Sequence, residues 1–318
     1  KNGIKELDKI FETLDPSVKR KACKKVLQLR FGMELEQTTN KQGTTADNNM
    51  EKLAPNVTRL FSLMADLDDA HTRDNPSVSL VRRFGTQKGT SSFGRSMGND
   101  DKMTKKITLR IGRAEMPEET VIGQEWQLGD VDENCKPADD TPAKSFNWTT
   151  LHEIGHAVDD KYGVMNRNGS SKKYGAWKEY LGDVSEISGV AAKHFKYDKS
   201  YVASYLSKPG GNYAKPEPDN GVEADVWEQR RLEAEAWCDS IRSDKTIWYS
   251  ATETSRLQID GRVFQEAYSN KWVSYDFAAR SQGVRGYQFR APGEWFADIY
   301  AAFHSGKMNL KHPAREWL

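Results

Sequence analysis

Apolar residues recur at helical spacing at both ends of the chain and at strand spacing between them. Ile4, Leu7, Phe11 and Leu14 follow a 3.6-residue period, so residues 1–36 are expected to form short amphipathic helices interrupted at Pro16. Residues 37–49 are polar and aperiodic and read as a linker. Leu53, Val57, Leu60, Phe61, Met64 and Leu67 give a further helical stripe, and the Gly- and Ser-rich stretch 86–101 reads as a loop. In KITLRIG, residues 106–112, Ile107, Leu109 and Ile111 alternate with Thr108 and Arg110, the pattern of a half-buried strand. A second strand is expected at 120–126 and a loop at 130–143. Beyond these, helices are expected at about 146–161, 174–196, 222–243, 261–281 and 293–305, with a clear break at 208–221 (KPGGNYAKPEPDNG). The order of helices, a small sheet and then helices indicates the α+β class, with a mainly helical region at 1–100.

Composition narrows the classes. Nine Trp, 12 Tyr and 12 Phe among 318 residues can fill a core, which excludes collagen-like, coiled-coil and disordered chains. The 47 basic and 46 acidic residues leave a net charge of +1, which argues against nucleic-acid binding by bulk electrostatics. No apolar run approaches 18 residues, so no membrane span is expected. Cys23, Cys135 and Cys238 form no CxxC pair, which excludes a zinc knuckle, and they are too few and scattered for a disulfide framework. The basic run KRKACKK at 19–25 reads as a solvated helix face, with an acidic partner as the alternative.

The chemistry is concentrated at 152–156, His-Glu-Ile-Gly-His. On a helix, positions i and i+4 lie about 40° apart, so His152 and His156 can face one ion. Leu151, Ile154 and Val158 form an apolar stripe on the other side, which would anchor the helix. Glu153 projects beside the histidines, where a carboxylate can take a proton from zinc-bound water. With 6 His and 22 Glu in the chain, chance supplies roughly 0.01 such motifs.

Catalytic zinc takes three protein ligands and keeps a position open. The position six residues after His156, where a metzincin carries its third histidine, is Tyr162. Asp159 and Asp160 follow too closely to ligate; Asp159 lies on the His face and is a candidate to orient an imidazole. A glutamate on a later helix is therefore expected as third ligand, with an acid four residues on to support a histidine. Glu179/Asp183, Glu235/Asp239 and Glu294/Asp298 match this spacing. Glu294 has the best context: in GEWFADIYAAF it shares a face with Ala297, Asp298 and Ala301, and small residues there allow a partner helix to approach. Glu235 lies in a strongly charged segment and remains the competitor.

The segment HEIGHAVDDKYG, 152–163, closely resembles the zinc helix of the anthrax lethal factor-like peptidases, a gluzincin type. GYQFRAPGEWFADIYAAF, 286–303, resembles that family's second signature, in which a Tyr precedes a Glu by seven residues and an aromatic-Phe-Ala-acid run follows. The resemblance implies zinc held by His152, His156 and Glu294, Glu153 as general base, Tyr287 as a phenol for the developing oxyanion, and Asp298 as support for a histidine. It implies a zincin-like catalytic domain over 101–318 that hydrolyses peptide bonds. The 138 residues between His156 and Glu294 then imply a mainly helical insertion at about 165–280. Also implied are a protein or peptide substrate, an inhibitory immunity protein as partner, and a place in a secreted or delivered bacterial toxin or effector. Two other classes stay open: a binding module with a structural zinc site, and a peptidoglycan-directed metal amidase. The strand at 106–112 is either a sheet edge for an extended peptide or a plain core strand. His71 and His194 are expected at the surface or as caps, and His304 beside the ligand face of its helix.

Overall fold

A computed structural model of the chain describes residues 2–33, 54–79, 83–85, 92–97, 103–110, 131–138, 143–180, 182–242, 248, 251–268 and 271–318. The linker read at 37–49 and the strand read at 120–126 lie outside these residues. The architecture is α+β and mostly helical. It divides into two compact units, the first built from the described residues of Lys1–Trp126, Asn134–Val164 and Gly293–Leu318, the second from those of Gln127–Glu133 and Met165–Pro292.

The first unit begins with α1 (Asn2–Glu12) and α2 (Pro16–Phe31). Asp15 sets the break between them: its carboxylate accepts from the Ser17 amide at 2.9 Å, and Pro16 starts the new helix where no amide donor is needed. Helix α3 (Ala54–Asp66) buries Val57, Leu60, Phe61 and Met64, and the short α4 (Pro76–Ser79) follows. Three strands, β1 (Arg83–Gly85), β2 (Ser92–Met97) and β3 (Met103–Arg110), form a sheet in the order β1-β3-β2, parallel on one side of β3 and antiparallel on the other. Two sequence expectations change here. Strand β2 runs through the stretch read as a loop, because its Gly and Ser content hid a strand six residues long. Of the strand read at 106–112, residues 106–110 belong to β3, the middle strand rather than an edge of this sheet, which pairs with β2 over 103–108 and with β1 over 108–110; 111 and 112 lie outside the described residues.

Helix α5 (Ser145–Tyr162) packs against α3, β2 and β3. Leu151, Ile154, Ala157 and Val158 are buried along it, and Asn75 donates to the Ala157 carbonyl at 3.1 Å. The helix ends where Gly163 turns left-handed and its amide bonds back to the Asp159 carbonyl.

Helix α6 (Val164–Asn168) leads into the second unit, which holds β4 (Lys178–Tyr180), α7 (Ser185–Phe195), α8 (Lys199–Ser207), α9 (Ala224–Ser240), α10 (Ala251–Leu257), β5 (Arg262–Tyr268) and β6 (Lys271–Asp276). Its antiparallel sheet has the order β4-β6-β5. The helix expected over 261–281 is wrong: those residues form the β5–β6 hairpin and a 3-10 turn at Phe277–Gln282. The expected helix over 174–196 is likewise split, with β4 preceding α7. Ile187, Val202, Leu206, Trp237, Phe264 and Trp272 belong to one buried cluster of helices and sheet. The 3-10 turn Gly286–Arg290 precedes α11 (Pro292–His304), on which the chain returns to the first unit. Cys23, Cys135 and Cys238 are buried and form no disulfide. Among the described residues no helix is long and apolar enough to cross a membrane.

Candidate metal centre

Helix α5 supplies His152 and His156, and α11 supplies Glu294 and Asp298. The two helices meet at Gly155. A Cβ added there would lie 2.9 Å from the Ala297 Cα, 3.2 Å from its carbonyl oxygen and 3.1 Å from the Tyr300 Cβ, closer than side chains pack. The glycine inside the HEIGH motif and the alanine three residues after Glu294 thus let the backbones approach. Glu294 sits in the first turn of α11, where the helix dipole favours a carboxylate.

Three donor atoms face one another. His152 Nε2 lies 3.0 Å from Glu294 Oε2, His156 Nε2 lies 3.2 Å from the same oxygen, and the two Nε2 atoms are 3.1 Å apart. Donors on a tetrahedral zinc with bonds of about 2.0–2.1 Å are separated by about 3.3–3.4 Å, so the triangle needs to expand by only a few tenths of an ångström. His152 Nδ1 lies 2.7 Å from Asp298 Oδ1. A proton donated from Nδ1 to that carboxylate leaves the Nε2 lone pair for an ion. Among the described residues these three form the one group of donors able to hold a metal ion.

Electrostatics favour a cation. Glu294 and Asp298 are 5% and 0% exposed, and buried carboxylates need compensating positive charge. Burial is the largest single influence on His152 and opposes its charge, but Asp298 and then Glu294 outweigh it and raise the imidazole from 6.5 to about 10. Burial would raise Glu294, yet His152 and His156 hold it well below 4.5.

His152 is raised above its ordinary 6.5, so its contribution to folding is complete below that pH and is lost as pH climbs toward about 10. Glu294 is depressed, so its contribution is present above 4.5 and is lost as pH falls through its folded value. Chelator-treated protein is expected to lose thermal stability above pH 6.5, and His152→Gln to remove most of that slope. Restoring the metal should reverse the trend, because a metal binds the neutral imidazole. Thermal melts across this range, with and without chelator, check both statements. Asp298→Asn is expected to weaken metal binding by about 10–100-fold without displacing a ligand, as read by competition with a chromogenic chelator.

The other expected site residues are placed as follows. Glu153 is 4% exposed on α5 between the two histidines. Asp159 is half-buried near the end of the same helix, where its carbonyl accepts from Gly163. Tyr287 belongs to the second unit, and its hydroxyl accepts from Arg290 Nη1 at 2.9 Å while Arg285 lies over its ring at 4.9 Å. Gln265 holds that turn from β5 by donating to the Phe289 and Arg290 carbonyls. The competing glutamates belong to the second unit: Glu235 pairs with Arg231 and the Tyr201 hydroxyl, and Glu179 is exposed on β4. Asp239 accepts from Tyr205, and Asp183 caps the start of α7.

Sequence reasoning read Arg290 as a surface residue or a contact to a substrate carbonyl, and it missed Arg285; both lie around Tyr287. It also placed His71 at the surface or as a cap. His71 is half-buried, with Nδ1 3.1 Å from the Tyr300 hydroxyl and its ring edge-on to Tyr300 and His304. His194 is exposed on α7, as expected for a surface histidine. Comparison with known proteins found no matching family model, curated protein or solved structure.

Proposed function

We propose that the chain is a zinc-dependent endopeptidase in which His152, His156 and Glu294 hold the metal. The observation that carries this reading is the triangle of two imidazole nitrogens and one carboxylate oxygen, steadied by Asp298 on His152 Nδ1. Two His and one Glu suit zinc, and three protein donors among the described residues fit a catalytic site better than a structural one closed by four. A bound zinc would lower the pKa of water toward 7 and polarise a carbonyl.

The remaining steps belong to the chain. The Glu153 carboxylate takes the proton of the attacking water and passes it to the leaving amine as the peptide bond breaks. The lethal factor resemblance assigns the Tyr287 phenol to the developing oxyanion. Delivery into a target cell and control by an immunity protein belong to this reading through the lethal factor resemblance alone.

The test is metal analysis of the purified chain followed by cleavage profiling of a protein extract with wild type and Glu153→Ala. New protein termini with wild type alone support an endopeptidase. Release of muropeptides from cell wall, with no protein cleavage, would move the assignment to an amidase. Absence of bound zinc would remove the proposal.

A further inference from the structure

Helix α2 carries a surface that the metal centre does not explain. Its buried face is Cys23, Leu27 and Phe31. The 16 residues PSVKRKACKKVLQLRF include six cations and no Asp or Glu. Lys19 is taken up by Glu12 at 2.6 Å and Arg30 by Asp69 at 2.7 Å. Arg20, Lys21, Lys24 and Lys25 meet no carboxylate among the described residues. The neighbouring helix α1 behaves differently, pairing Lys5 with Asp66 and Lys9 with Glu6.

The outward face is also apolar. Val18 is 50% exposed and Leu29 is 71% exposed. Eleven residues apart, they lie within about 20° of each other on the helix and about 16 Å apart along it. Lys21 and Lys25 are exposed between them, about 60° and 20° from Val18 on the same side. Ala22 and Val26 continue the strip along its other margin, both half-buried. An ordinary solvated face has no need of aliphatic heads on its outermost line, and here they alternate with charge of a single sign.

We propose that this face of α2 docks on an anionic phospholipid surface. Val18 and Leu29 enter the headgroup layer, and Lys21 and Lys25 extend their stems so that the ammonium groups reach the phosphates. Arg20 and Lys24 flank the contact and add to the attraction of a cluster of at least four cations for acidic lipid. The chemistry favours lipid over an acidic protein. The apolar anchors are aliphatic and sit on a convex helix, without the aromatic anchors that dominate protein interfaces. The proposal stands apart from the peptidase reading.

The test is co-sedimentation of the 318-residue chain with vesicles of phosphatidylcholine alone or with about a third phosphatidylserine. Binding is expected only with phosphatidylserine and should weaken as salt rises. Lys21→Glu with Lys25→Glu should lower the partition coefficient by at least about tenfold. Val18→Ser with Leu29→Ser should lower it several-fold at unchanged charge. All four residues are exposed, and circular dichroism verifies that each variant is folded. No binding to the acidic vesicles at low salt, or unchanged binding by the glutamate variant, overturns the proposal. Unchanged vesicle binding by the serine variant, together with competition by a poly-glutamate peptide, overturns it in favour of an acidic protein segment.

Discussion

Glu153→Ala is expected to reduce turnover by roughly 10²–10⁴ while leaving metal content and fold nearly intact. Glu153 is buried next to His152 on α5 but is outside the donor triangle, which is made by His152, His156 and Glu294. Its removal takes away the proton acceptor and leaves each donor in place. His156→Ala should behave differently, because it deletes one corner of the triangle and leaves Glu294 Oε2 with one imidazole instead of two. Metal and activity should then fall together. Zinc analysis, circular dichroism and peptide cleavage on the two variants separate these outcomes. Full activity in Glu153→Ala would reject the hydrolytic mechanism and leave a metal that serves only to staple α5 to α11.

The second large effect is expected at Gly155, where the sequence motif itself tolerates any residue. Alanine is the better helix former by about 0.8–1.0 kcal/mol, which alone predicts stabilisation. Packing opposes it. The new Cβ would meet the Ala297 Cα at 2.9 Å and its carbonyl oxygen at 3.2 Å, and backbone atoms cannot turn aside. Overpacking of this kind costs about 1–3 kcal/mol, so the net result is a loss of about 0–2 kcal/mol. The larger consequence is functional. Ala297 is one turn from Glu294, so forcing the helices apart withdraws the carboxylate from the histidines, and metal affinity should fall by more than about tenfold. Gly293→Ala is the control, because a Cβ there would meet the His156 ring at an ordinary 3.5 Å. Thermal melts and metal competition on both variants decide whether the crossing point matters as proposed.

How much of this was legible in the sequence depended on whether a segment buries one face or both. Helix α5 announced itself through the spacing of Leu151, Ile154 and Val158, and α11 through its aromatic and small-residue faces. The β5–β6 hairpin did not. Val263, Phe264, Gln265 and Ala267 are all buried on β5, as are Trp272, Val273, Ser274 and Tyr275 on β6. With both faces covered there is no alternation to detect, and the run reads as a helix. Strand β4 has only three residues, too few for any period. The donor residues were legible because the i, i+4 spacing and the later glutamate are local patterns. That Asp298 supports a histidine was expected, but that the histidine is His152, and that residue 155 must be glycine, depend on how α11 crosses α5. That crossing joins residues 146 positions apart in the chain, in the case of His152 and Asp298.

The most direct measurement is zinc stoichiometry by elemental analysis on wild type, His152→Ala, His156→Ala, Glu294→Ala and Glu235→Ala, each checked for folding. About one zinc per chain is expected in wild type and in Glu235→Ala, and little or none in the other three. Full zinc in Glu294→Ala, or its loss in Glu235→Ala, would contradict the assignment of the third ligand to α11 and with it the catalytic centre described above.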